Sequence, residues 1–368
     1  MNKLKLAVVS LLSISIVLVL FILNNENKKG AVLINLEENE APTSAPTQEI
    51  IFDPNLSKLD LVKFSYVSIR EDDTLELIDK LGTSVIINLD RKLWQSASWS
   101  PSGVLLAVKG ITKDQVYDLY IFDLIKKKWK KATDFANQKS GVQDFFWIGS
   151  KRIFFIQGKH DDSWLHYYDH ESGEILKLEK TNGTITNVSP NRKYFVIRNQ
   201  NEKYEVFDSM GKRIVTLGDF YDSLDTSVRY KVESVISIND EGRIILKFKE
   251  NLYGKTEVGA SLASKIDLPN ADYQVVCSPS QEEVLLLEES SSLIKLYLFN
   301  SKRESLKLLS YLENKRLDKT HKAECFANGN IILATEGHIN KWYEFRSDRT
   351  SFTELNFIKN SKYVRAFD

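Results

Sequence analysis

Six times along this chain an apolar residue is followed by a short turn cluster and then by a β-rich run. The copies read "WSPSGVLLAVKG" from Trp99, "WIGSKRIFFIQG" from Trp147, "VSPNRKYFVIRN" from Val188, "INDEGRIILKFK" from Ile238, "CSPSQEEVLLLEE" from Cys277 and "CFANGNIILATEG" from Cys325. Most are followed by a third run that ends near an aromatic and a polar turn: "DLYIFDLIKK", "WLHYYDHESG", "KYEVFDSMG", "IKLYLFNSKR", "KWYEFRSDR". A fourth closes most units: "GEILKLEK", "KRIVTLGD", "SLKLLSYL", "FTELNFI". The starts lie about 40 to 50 residues apart, the period of four short antiparallel strands. Such a unit cannot bury its faces alone. It must stack on its neighbours, and a ring of stacked sheets is the expected outcome.

The turn in "WSPSG", "VSPNR" and "CSPSQ", followed by an apolar strand and then a Tyr-apolar-aromatic-Asp strand, carries a family resemblance. The chain resembles the WD-repeat-like β-propellers of bacterial envelopes, in particular the TolB-type blades of the Tol-Pal translocation protein and those of peptidase propeller domains. The resemblance spans about residues 60–368. It implies an all-β propeller. The peptidases add a large α/β hydrolase domain and the translocation protein an N-terminal α/β domain; neither pattern stands in this sequence. The unit at "YGKTEVGASLASKIDL" departs from the pattern, with no clean third strand.

Counting units predicts seven blades, with six or eight left open. The stretch "LVKFSYVSIREDDTLELIDKLGTSVIINLD" supplies second, third and fourth strands but no convincing inner one. The C-terminal "KYVRAFD" reads as an inner strand with no hairpin after it. A closed ring removes free edges by building one blade from both chain ends. The expected partner of residues 362–368 is therefore the strand that holds Phe64, Tyr66 and Ile69. The alternative is that "FDPNLSKLD" supplies the inner strand and the C-terminus frays.

Ahead of the repeats, residues 6–23 read "LAVVSLLSISIVLVLFIL", uncharged and flanked by Lys3 and Lys5. At the helical rise these eighteen residues cover roughly 27 Å, close to the hydrocarbon thickness of a bilayer. No small-x-small cleavage site follows, so the expectation is an uncleaved signal anchor and not a removed signal peptide. The basic start places residues 1–23 with their N-terminus in the cytoplasm and the propeller outside, periplasmic or extracellular. Residues 24–53 include "EENEAPTSAPTQE", the composition of a flexible linker. Residues 54–368 are the expected propeller domain.

Fifty basic and fifty acidic side chains cancel, which argues against nucleic acid as a partner. Two cysteines, Cys277 and Cys325, are too few for a disulfide framework. They take the same repeat position in consecutive blades, on separate sheets, and are expected to remain buried thiols.

Three of the five histidines, His160, His166 and His170, fall in "GKHDDSWLHYYDHESG" with Asp161, Asp162 and Asp169. By composition this invites a metal site. Strand geometry opposes it, since His166 and His170 lie roughly 13 Å apart along one strand. The run "KKKWKK", residues 126–131, reads as lysines in water around a hairpin turn with Trp129 covering a blade edge; contact with anionic lipid, glycan or nucleic acid is the other reading. Glu71, Asp72 and Asp73 form an acidic turn without the spacing of a calcium loop. No nucleophile elbow, zinc-binding His pair or phosphate loop occurs. No catalytic, cofactor-binding or metal residue is assigned, and no cofactor is expected.

The functional expectation is a membrane-anchored extracytoplasmic propeller that binds or scaffolds a protein or glycan partner of the cell envelope. The alternative is a propeller enzyme of the lyase, lactonase or glycosidase type, with its site in the central channel.

Overall fold

The computed structural model describes residues 49–51 and most of 60–366, with gaps between strands. Seven sheets follow one another along the chain. Given from the innermost strand outward, blade two is Leu93–Trp99, Leu105–Ile111, Tyr117–Asp123 and Lys128–Lys131. Blade three is Val142–Trp147, Arg152–Lys159, Asp162–Asp169 and Ile175–Lys180. Blade four is Gly183–Val188, Tyr194–Asn199, Tyr204–Asp208 and Arg213–Leu217. Blade five is Ser234–Ile238, Ile244–Phe248, Asn251–Lys255 and Leu262–Ile266. Blade six is Tyr273–Cys277, Glu283–Glu289, Leu293–Asn300 and Ser305–Glu313. Blade seven is Lys319–Cys325, Ile331–Glu336, Lys341–Phe345 and Phe352–Glu354.

Blade one joins the two ends. Phe64–Arg70, Leu75–Asp79 and Ser84–Ile87 receive Ser361–Ala366 as their innermost strand. Tyr66 pairs with Ala366, Val67 with Arg365, Ser68 with Val364 and Ile69 with Tyr363. The ring therefore closes as the complementary deficits of the two ends required.

The repeated turn has a local cause. After the innermost strand of blade two, the Ser100 backbone N–H donates to Leu105 O and the Gly103 N–H to Ser100 O, while Ser100 Oγ accepts from the Leu105 N–H at 3.1 Å. Ser189 repeats this with Tyr194, and Asn239 with Arg243. A short side-chain acceptor at this position satisfies an otherwise orphaned N–H and fixes the hairpin. The aspartate ending the third strand does the same for the next turn. Asp79, Asp123, Asp169 and Asp208 each accept two backbone N–H groups from the residues that follow. Burial pushes the Asp79 and Asp169 carboxyls up, but these donors outweigh it and hold both below the ordinary range. The Asp in the repeat signature is thus a turn-closing residue.

Period-two alternation then distributes the core. In blade three Ile153 and Phe155 face blade two, whereas Phe154 and Ile156 face blade four. Each of the seven buried apolar clusters among the described residues spans one pair of adjacent blades. The last joins Tyr66, Ile78 and Val364 of blade one to Ile332, Trp342 and Leu355 of blade seven. Among the described residues no buried apolar cluster belongs to one blade alone, so the seams carry the core.

Four features depart from the sequence reading or add to it. Glu49–Ile51, inside the stretch read as linker, forms a fifth strand on Lys128–Lys131 of blade two. Trp129 does not cover an edge: it is fully buried and stacked between Trp94 and Phe122. Blade five does have a third strand, Asn251–Lys255, although Gly254 interrupts its pattern. Its outer edge is also extended by a hairpin, Asp219–Asp222 with Arg229–Lys231, the former parallel to Leu262–Ile266. Cys277 and Cys325 end the innermost strands of blades six and seven, and their side chains lie outside the described residues. Among the described residues no helix is long and apolar enough to cross a membrane. Residues 6–23 lie outside them.

Candidate binding groove

The antiparallel order gives the ring two faces that carry different connections. One carries the turns between first and second strands and between third and outer strands; Leu124 N donates to Val104 O and His170 N to Lys151 O across these neighbouring turns. The opposite, crossover face carries the second-to-third turns and the links from one blade to the next.

A groove of about 300 Å³ opens on the crossover face between blades three and four. Gln143 enters it from the innermost strand of blade three, Asn182 and Thr184 from just before and within the start of the innermost strand of blade four, Arg198 from the end of the second strand, and Gln200 and Glu202 from the turn that follows. Gln143 Nε2 donates to Gly158 O at 2.6 Å, which fixes the amide. Asn199 Oδ1 accepts from the Asn201 and Lys203 N–H groups, both at 3.0 Å, and shapes the turn. Gly183 must be glycine, because a Cβ there would stand 2.2 Å from Arg198 O. Arg198 and Glu202 pair at 3.3 Å and neutralise each other.

Buried polar ties stitch the wall beneath. Lys109 of blade two donates to Gln143 O at 2.5 Å. Burial lowers its pKa, with Asp144 acting in the opposite direction. Asp144 Oδ2 accepts from the Ile185 N–H of blade four at 3.0 Å. Trp147 Nε1 donates to Ser98 O, and Asn187 Nδ2 to Ile236 O. The groove therefore offers amides, a hydroxyl and one compensated ion pair, with Gln143 and the Asn199 turn held by hydrogen bonds. Such a surface holds a polar ligand by hydrogen bonds.

The residues singled out from the sequence lie elsewhere. His166 is buried and stacked on Phe155 at 5.0 Å, and neither ring nitrogen has a hydrogen-bond partner. Burial, with Lys177 nearby, pushes its pKa down to about 4. Burial and then Lys130 lower His170. His160 and Asp161 lie outside the described residues. Among the described residues no three His, Cys, Asp or Glu side chains are arranged to hold a metal ion. Asp72 Oδ1 accepts from Thr74 in the acidic turn, where Asp73 takes φ 64°. The groove residues carry no sequence signature, since three separate segments of ordinary polar residues supply them.

No protein-family profile matches the chain, and no curated protein does. Solved structures do. Oligogalacturonate lyase in complex with manganese aligns with a TM-score of 0.53 at 9% identity, over 84% of this chain and 85% of that one. A functionally unknown protein from Desulfotomaculum acetoxidans aligns with a TM-score of 0.51 at 10% identity, over 83% of this chain and 98% of that one. TolB from Acinetobacter baumannii is similar at 14% identity with a TM-score of 0.42, over 82% of this chain and 65% of its own length, just under two thirds. At these identities the likeness concerns the fold alone.

Proposed function

We propose that this chain is a binding and scaffolding module, held at the outer side of a cell membrane by residues 6–23, with the groove between blades three and four as its ligand site. The observation that carries the binding role is the groove itself: hydrogen-bonding groups set beside buried polar ties that cross the seams of the ring. The anchoring role rests on the length and lack of charge of residues 6–23.

The test uses the full chain in cells. Alkaline carbonate leaves it in the membrane, and protease added to spheroplasts digests the propeller. A photo-crosslinking residue at Thr184 yields an adduct that the same residue at Ser84, on the outer edge of blade one, does not. Release by carbonate, or a mature N-terminus between residues 24 and 50, overturns the anchor. Identical adducts at both positions overturn the groove.

A further inference from the structure

The three most exposed large apolar side chains among the described residues are Leu81 at 91%, Met210 at 76% and Ile125 at 63%. They occupy one equivalent position. Each stands two residues after the aspartate that ends a third strand, and each donates its backbone N–H to that carboxylate, at 2.9 Å from Leu81, 3.1 Å from Ile125 and 2.9 Å from Met210. All three therefore sit at turn tips on the same face, opposite the groove, on blades one, two and four. The turn does not require an apolar residue there. Glu171 takes the same place in blade three, with the same bond to Asp169. Single exposed apolar side chains are ordinary on a protein surface; their recurrence at one turn position in three blades is what calls for an account.

Their neighbours supply it. Lys80 precedes Leu81, Lys126 and Lys128 follow Ile125, and Lys212 follows Met210; all four lysines are exposed. The aspartates of the same turns hold backbone N–H groups with one carboxylate oxygen, and the other oxygen of Asp123 pairs with Lys126 Nζ at 3.5 Å. Isolated apolar side chains, each with one or two lysines close by in the same turn, fit the headgroup region of an anionic bilayer, where the apolar tip enters the acyl boundary and the ammonium groups meet phosphates. A protein partner would favour one contiguous apolar patch, and these tips are spread over three blades. Three points out of line define a plane.

We infer that this face lies on an anionic lipid bilayer, with Leu81, Ile125 and Met210 inserted and the groove turned away from it. The inference deepens the membrane placement proposed above, yet it does not need the anchor. The unit Ser44–Asp368 holds all seven seam clusters and the closing strand, so it is tested without residues 1–43.

The experiment is cosedimentation of residues 44–368 with vesicles of phosphatidylcholine alone or with phosphatidylglycerol. The expected result is binding to the anionic vesicles only, weakened at least tenfold by L81S/I125S/M210S together and separately by K126E/K128E, with melting temperatures unchanged. Equal binding to both vesicles, no binding, or binding that the tip variant leaves intact overturns the inference. Carbonate release of the full chain alongside intact vesicle binding by residues 44–368 would overturn the anchor and leave this face standing.

Discussion

The hydroxyl oxygens of Ser68 and Ser361 stand 2.5 Å apart, both residues buried, at the place where the two ends of the chain complete one blade. Beside them Tyr66 Oη donates to Glu344 of blade seven, which also accepts from Arg346 Nε at 2.9 Å. Burial, with Glu344 beside it, pushes the Tyr66 phenol up to about 12, so it stays a donor at any physiological pH. Deleting residues 361–368 removes a strand ladder and the buried Val364 together. The expected loss is several kcal/mol, read as a lower melting temperature and urea midpoint. An unchanged melting temperature would mean that the C-terminus closes nothing.

Trp129 lies 4.8 Å from Phe122 and 5.7 Å from Trp94, both nearly parallel to it. Trp129→Ala leaves a cavity in the seam between blades one and two and is expected to cost about 3–5 kcal/mol. A loss under about 1 kcal/mol would return Trp129 to an edge-covering role.

His166 makes stability depend on pH. Its folded pKa lies below its unfolded value, so the folded state binds fewer protons. The contribution is fully present above about pH 6.5 and is lost as pH falls toward 4. The expected drop is about 3 kcal/mol across that window. Urea titrations of the wild type and His166→Leu, compared at pH 7 and pH 4.5, isolate it. Parallel losses in both proteins would refute the assignment.

Ser189→Ala removes the acceptor for the Tyr194 N–H, 3.1 Å away, and keeps the backbone bonds of the turn. The expected cost is about 1 kcal/mol. Ser189→Asn should recover part of it, because Asn239 serves the same role in blade five.

Most of the ring was legible because the turns are short and chemically demanding. Ser100, Ser189 and Asn239 mark hairpins, and Asp79, Asp123, Asp169 and Asp208 mark the next ones, so strand order followed from residue type. Closure was legible because each chain end lacked what the other had. Pairing without such a marker was not. Glu49–Ile51 is three residues next to a polar tract, and only the edge of blade two makes it a strand. Trp129 sits among lysines, and its burial depends on Trp94 being thirty-five positions away in sequence yet stacked on it. The groove was invisible for a related reason. Gln143, Asn182 and Arg198 become neighbours through the packing of blades three and four, and no local pattern records that packing.

The central claim is that one blade is shared between the two chain ends, and amide hydrogen exchange on the native protein tests it most directly. The account predicts that the amides of Ser361–Ala366 that bond within the ladder to Phe64–Arg70 exchange as slowly as those of Leu93–Trp99, the equivalent strand of blade two. Exchange of the residues around Val364 at the rate of an unstructured chain, with Leu93–Trp99 still protected, would contradict it.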